Sequence, residues 1–241
     1  LALTLKEDSP IGQIFSDLAQ TTYRIAGWVL TTLPLGLFAI TYQLAGQIDF
    51  STVAALAQLA GVVFAATLFH GLIVLPFIAW WAAGLSPWKF FAAVSQPLIT
   101  ALSTSSSAAT LPLSMTTAET KLGVDRAKCA FVLPLGATAN MDGTALFEGI
   151  AAVFLAYMFG IDLSATGIVA IFLVAMLSSV GAPGIPSGSM AGMQMVMLAV
   201  GIPLEAIGLL LLIERPLDTF RTAVNVEGDL VGCLVAKRFT Q

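Results

Sequence analysis

The chain has 241 residues, 58% of them hydrophobic and 10% charged. A soluble domain carries about 25% charged residues, so a water-facing surface cannot be assembled from it. Ten Lys and Arg against 14 Asp and Glu leave a net charge of −4, which offers nothing to a polyanion and excludes a nucleic-acid partner. Cys129 and Cys233 have no metal-ligand spacing and make no disulfide framework, so both read as packing residues.

In chain order, Leu1-Ala2-Leu3-Thr4-Leu5 reads as the end of an earlier helix. Four stretches then carry no Asp, Glu, Lys or Arg: 25–48, 50–88, 90–118 and 163–204. Each exceeds the roughly 20 apolar residues that cross a bilayer, so an integral membrane protein is expected. Basic residues mark the cytoplasmic side. With Lys89, Lys121, Arg126, Lys128, Lys237 and Arg238 inside and Asp49, Asp162 and Glu205 outside, 11–47 runs outward and 51–86 returns. Residues 90–118 must then leave and re-enter the cytoplasmic face, 126–161 cross outward, 163–204 start and end outside, and 206–236 cross back. Two segments therefore behave as re-entrant hairpins, one from each side. The competing reading makes 90–118 one tilted span and 163–204 two ordinary spans turning near Pro183–Pro186.

The midpoints favour hairpins. The first centres on Ser103-Thr104-Ser105-Ser106-Ser107 with Pro112 beyond. The second centres on Ser178, Ser179 and the Gly/Pro-rich run 181–189. Gly and Pro free backbone groups that lipid cannot satisfy, so both turns belong in a protein-lined cavity. Each hairpin is followed by a span holding polar groups, 136–144 in one case and 214–229 in the other. Interrupted segments in corresponding places of two opposed halves point to a secondary transporter with its site near the midplane.

On a helix at roughly 100° per residue, Glu214, Arg221, Thr222, Asn225 and Asp229 fall within about 60° of Asp218. Glu227 falls roughly opposite and is expected at the cytoplasmic end. Facing lipid, Glu214, Arg215, Asp218, Arg221 and Asp229 would cost on the order of 10–15 kcal/mol, so the stripe must face a polar interior. A purely structural network, with Asp218 and Arg221 paired at i,i+3, is one account. The functional account uses both signs: Arg221 offers a fork for a carboxylate and Asp218 an acceptor for an ammonium group. Together they describe an acidic amino acid. Asn140, Asp142, Asn225 and Asp229 supply hard oxygens suited to an alkali cation rather than zinc. Asn140 and Asp142, at i,i+2, cannot share a helix face, so an unwound turn is expected there.

Four ordered motifs carry a resemblance over almost the whole chain. They are Asn140-Met141-Asp142-Gly143-Thr144, the serine-rich turn before Thr110-Leu111-Pro112, the Gly/Pro turn at 181–189, and Asp218-x-x-Arg221-Thr222-x-x-Asn225-x-x-x-Asp229. They resemble the glutamate transporter family, the dicarboxylate/amino acid:cation symporters. That resemblance implies an all-α membrane protein, multi-pass in the plasma or bacterial inner membrane and homotrimeric. It also implies an elevator mechanism driven by sodium or proton gradients, with no cofactor and no enzymatic activity.

The resemblance divides the chain into 1–86, the end of span 4 with spans 5 and 6, and 87–241, the transport core. Within the core, hairpin 1 is about 88–120, span 7 about 126–160, hairpin 2 about 163–200 and span 8 about 203–237. Spans 1–3 and most of span 4 are expected outside this sequence. The substrate, glutamate, aspartate or a C4-dicarboxylate, should meet Arg221 through its side-chain carboxylate and Asp218 through its amino group. Thr222, Asn225, Thr144, the turn residues Ser105, Ser106 and Ser107, and the backbone of Ile185–Ser189 should complete that shell. One sodium is implied among Gly136, Asn140, Asn225 and Asp229, and a second among Thr138, Ser179, Val180 and Ala182. Asp142 resembles a ligand of a further site completed by span 3.

Many relatives carry a second arginine where Ser105 or Thr219 stands here, which leaves open whether Arg215 substitutes. Glu148 stands where proton-coupled relatives have an acid, so sodium and proton coupling both remain open. An intramembrane serine hydrolase is disfavoured by one histidine, His70, and by the missing Gly-x-Ser-x-Gly elbow; His70 reads as a packed or interface histidine. A channel, or a neutral amino-acid exchanger of the same fold, is the alternative to a symporter. Trp80, Trp81 and Trp88 near Lys89 read as an interfacial belt.

Overall fold

The computed structural model describes residues 10–45 and 49–239. The opening Leu1–Leu5, expected to end an earlier helix, and residues 46–48 at the end of the first expected span lie outside the described residues. The chain divides into two compact units, 1–48 and 49–241. The first contributes one helix, α1 (Pro10–Ala45). Its Trp28, Leu35 and Phe38 are exposed. Thr22 and Thr31 return their hydroxyls to the carbonyls of Leu18 and Trp28 at 2.8 and 2.6 Å, the internal satisfaction that an apolar surrounding demands.

In the second unit every described regular element is helical. The helix α2 (Phe50–Phe69) starts at Asp49, whose carboxylate accepts from the Thr52 backbone N–H at 2.8 Å and from the Ser51 hydroxyl. A π-helical turn, His70–Val74, joins α2 to α3 (Leu75–Ala83), which ends on left-handed Gly84. The 90–118 stretch is two packed helices, α4 (Pro87–Thr104) and α5 (Ser107–Thr120), turning at Ser105–Ser106. The polar span is split into α6 (Arg126–Ala139) and α7 (Asp142–Met158). Its break falls on Asn140 and Met141 (φ/ψ −115°/73° and −105°/60°), as the i,i+2 spacing of Asn140 and Asp142 requires. The helices α8 (Ala165–Val180) and α9 (Ser189–Ala199) pack together around the irregular run 181–188. The last helix, α10 (Ile207–Phe239), follows a 3₁₀ turn.

Two apolar cores flank the site, and α10 belongs to both. Its first half places Leu210 and Leu217 against Leu59, Phe147, Leu155, Ile171 and Met193. Its second half places Leu230 and Leu234 against Leu75, Phe90, Val94 and Leu133, with Cys129 and Cys233 buried as free thiols. At about 25 cal/mol per Å² of apolar surface removed from contact with solvent, these faces fix α10 at both ends. Its polar stripe is held between them. Phe50–Ala83 and Arg126–Met158 are each long and apolar enough to cross a bilayer.

Candidate functional site

The stripe on α10 faces inward: Glu214, Asp218, Arg221, Thr222, Asn225 and Asp229 are all buried. Arg221 is the largest of the fully buried side chains, at 1% exposure. Its Nη2 donates to Ser189 Oγ at 3.1 Å, Glu214 Oε1 at 3.0 Å and Asp218 Oδ1 at 3.2 Å. Its guanidinium carbon lies 4.0 Å from the centre of the Phe147 ring, a cation–π contact. Nε and Nη1 are buried with no partner among the described residues. Leaving such donors unpaired costs about 1–3 kcal/mol each. The helices α7 and α10 touch backbone to backbone here, since a Cβ on Gly143 would lie 2.6 Å from the Arg221 carbonyl oxygen.

Both turns converge on this stripe. Ser106 Oγ donates to the Gly184 carbonyl at 2.8 Å, and the Ala108 N–H reaches the same oxygen at 3.1 Å. Ser187 donates its backbone N–H to Asp218 Oδ2 at 3.0 Å and its hydroxyl to Glu214 Oε2 at 2.9 Å. Ser105, Ser107, Thr144, Ile185, Ser189, Asp218, Thr222 and Asn225 line one cleft of about 10 Å³, room for about one water. Ser106 and Arg221 adjoin it through the bonds just given. A larger cleft of about 600 Å³ lies between α7 and α8. Apart from His70 and Asp142 its walls are apolar residues such as Ile150, Val153 and Phe172, which offer a zwitterion no partners.

At the 140–141 break, Asn225 Oδ1 accepts the Gly143 N–H at 2.7 Å, while its amide nitrogen faces Thr144 Oγ1 and Met141 Sδ at 3.3 and 3.4 Å. The Asn225 side chain therefore holds the unwound turn against α10. Asn140 Nδ2 donates to Asp229 Oδ1 at 3.2 Å, and a Cβ on Gly136 would fall 2.5 Å from that oxygen. Gly136, Asn140, Asn225 and Asp229 are thus brought together. The second expected cation set is looser: Ser179 and Ala182 are buried, whereas Thr138 and Val180 are exposed. The Thr138 hydroxyl turns back to Leu135 O at 3.1 Å.

Glu148 is fully buried. Its Oε2 accepts a hydrogen bond from the Ser178 hydroxyl, and its Oε1 has no partner among the described residues. His70, expected as a packed or interface histidine, also has its Nε2 3.1 Å from Asp142 Oδ2. Glu227, expected at the cytoplasmic end, is buried at 4% exposure. A Cβ on Gly71 of the π turn would approach Glu227 Oε2 to 3.2 Å. The missed residues are Ser187 and Glu214. Glu214 was visible on the stripe, but nothing in the sequence signalled its reach to Ser187.

The family profile described as the sodium:dicarboxylate symporter family matches residues 1–239. Excitatory amino acid transporter 3 of Mus musculus is 39% identical over 231 residues, 94% of this chain and 44% of that protein. Excitatory amino acid transporter 2 of the same species is 40% identical over 225 residues, 91% of this chain and 39% of that protein. Excitatory amino acid transporter 1, also from Mus musculus, is 36% identical over 238 residues, 98% and 44% of the two chains. The chain spans less than half the length of these relatives. A buried Asp/Arg stripe between two converging helical turns thus coincides with a match along nearly all of the chain, and the protein is a membrane protein that belongs to the sodium:dicarboxylate symporter family.

Proposed function

We propose that this chain is the substrate- and ion-binding half of a secondary active symporter that moves an acidic amino acid, glutamate or aspartate, with sodium. One observation carries the reading. A fully buried arginine beside a buried aspartate keeps two nitrogens, Nε and Nη1, without partners among the described residues. A side-chain carboxylate would take Arg221, and the ammonium group would take Asp218. Thr144, Thr222 and the turn residues Ser105, Ser106, Ser107, Ile185 and Ser189 would line the remainder. Sodium would use Asp229 with Asn140, Gly136 and the Asn225 carbonyl, and Asp142 would serve a further cation site. A second sodium would take carbonyls of Thr138, Ser179, Val180 and Ala182. Glu148, buried one turn from Thr144, is the group suited to carry a proton. Residues 87–241 would form the moving core of an elevator-type homotrimer, re-entrant at 88–120 and 163–200.

The test is equilibrium aspartate binding to the full-length parent protein, titrated with sodium. Asp229 is the only full negative charge in its proposed site, so Asp229→Asn should move the sodium dependence to higher concentration. Because cation and substrate binding are reciprocally linked, apparent aspartate affinity must fall at fixed sodium. Curves that overlay those of the parent would put the ion elsewhere.

A further inference from the structure

We propose that Glu214 is a built-in rival of the substrate. Its carboxylate holds Arg221 and, through Ser187, fastens the 181–188 turn, so that a substrate carboxylate enters by displacing it. The inference rests on the acidic-substrate reading and adds to it a competitor supplied by the protein.

A guanidinium offers a carboxylate two paired edges, Nε with Nη2 and Nη1 with Nη2. Nη2 belongs to both. It carries two hydrogens, yet three acceptors surround it: Ser189 Oγ, Glu214 Oε1 and Asp218 Oδ1, all within 3.2 Å. Neither edge can take a second carboxylate in full until one of these leaves. Asp218 is the least free to go. Its Oδ2 also accepts the Ser187 N–H, and half-exposed Arg215 stands 3.6 Å away. Glu214 reaches Arg221 from two turns away, and among the described residues its one other bond is from the Ser187 hydroxyl. It is also the group whose charge duplicates the incoming one. Two acids already face Arg221, and an arriving dicarboxylate would crowd like charges in a cleft with room for about one water to screen them.

The displacement would be felt at the turn. Ser187 has φ 61°, a left-handed conformation that residues other than glycine seldom keep without support. Besides the Met190 N–H on its carbonyl, that support is the pair of bonds from Ser187 to Asp218 and Glu214. When Glu214 withdraws, one of the two side-chain-mediated bonds goes, and of the α10 carboxylates Asp218 alone still holds Ser187. Arrival of the substrate and loosening of the turn are therefore a single event. When the substrate departs, Glu214 covers Arg221 again, which spares the protein a bare buried cation on the return journey.

The experiment uses the full-length protein in proteoliposomes and compares aspartate binding, aspartate–aspartate exchange and net uptake. Glu214→Gln keeps the shape and removes the rival charge. Apparent aspartate affinity should rise at least about fivefold, because more sites are competent to bind. Exchange should persist while net uptake falls by about tenfold or more, since Arg221 must return uncovered. Ser187→Ala, which spares the Arg221–Glu214 pair, should raise affinity by only about twofold. A Glu214→Gln protein with weaker aspartate binding and equal losses of exchange and net uptake would show that Glu214 only props Arg221. Unchanged affinity would show that it does not compete. Should the Gln variant not fold, Glu214→Asp is one methylene too short to hold both partners and must also bind aspartate more tightly; a loss of affinity overturns the proposal. A parent that binds no acidic amino acid would refute the proposed function itself, whereas a binding parent with an unaltered Glu214→Gln refutes the rivalry alone.

Discussion

The two turns that meet at the site are built on opposite principles. The one between α4 and α5 has two residues, and its own chain satisfies much of it. Ser106 caps α5 by accepting the Ala109 N–H at 3.1 Å, its carbonyl accepts from Thr110, and left-handed Ser105 bonds back to Ala101. The run between α8 and α9 is eight residues long, rich in Gly and Pro, and its Ser187 depends on carboxylates that α10 supplies. A turn that closes on itself keeps its shape whatever binds beside it. One that borrows its partners from the binding residues must respond to them. The difference assigns rigidity to 105–106 and responsiveness to 181–188.

Four substitutions or titrations break or sharpen that contrast. The largest effect is expected from Arg221→Thr, which removes the group around which Glu214, Asp218 and Ser189 are arranged. Losing a buried charge-assisted pair costs about 2–5 kcal/mol, so aspartate affinity should fall at least about thirtyfold by calorimetry. Next comes Gly188→Ala. Its Cβ would stand 2.2 Å from the Pro183 carbonyl oxygen, a backbone atom that cannot swing aside. Rebuilding the responsive turn should cost about 1–3 kcal/mol, read as a lower melting temperature together with weaker aspartate binding. Ser106→Ala should cost less, about 0.5–2 kcal/mol for a lost cap, because Gly184 O keeps its bond from Ala108. Thermal stability should drop while aspartate affinity falls clearly less than in Gly188→Ala. An equal loss of affinity in both variants would erase the distinction between the turns.

The smallest effect lies away from both turns. At Asp49 the Thr52 backbone N–H, with help from the Thr52 and Ser51 side chains, lowers the carboxyl pKa from 3.8 to about 2. A depressed folded-state value stabilises the α2 start above the unfolded pKa and loses that effect as pH falls through about 2. A carboxyl carbon NMR titration of Asp49 should therefore have its midpoint near 2, and a value near 3.8 would show the cap is not formed. Neither turn should respond to this titration.

Much of the site was legible because helical periodicity reports which residues share a face. Asp218, Arg221, Thr222, Asn225 and Asp229 announced themselves, as did the break at Asn140–Met141. Periodicity does not report what a face packs against. Glu227 lies opposite the stripe, and nothing in its spacing signalled that α2 and its π turn cover that side of α10, with Gly71 making the space. His70 looked apolar in its own segment, because its partner Asp142 is 72 residues away. The Ser187–Glu214 bond was hidden for the same reason: serine and glutamate sit in different motifs, and only the irregular path of 181–188 brings them together.

The shared position of α10 bears on how the two repeated halves of the sequence are related. Divided near Phe159, the chain would give a first half with α4 to α7 and a second with α8 to α10. The first would keep Phe90, Val94, Cys129 and Leu133 but lose Val226, Leu230 and Leu234, which form one wall of that core. The second would keep Leu210 and Leu217 without Phe147, Ala151 and Leu155 opposite them. Separated, each piece would leave uncovered the apolar face that the other now closes.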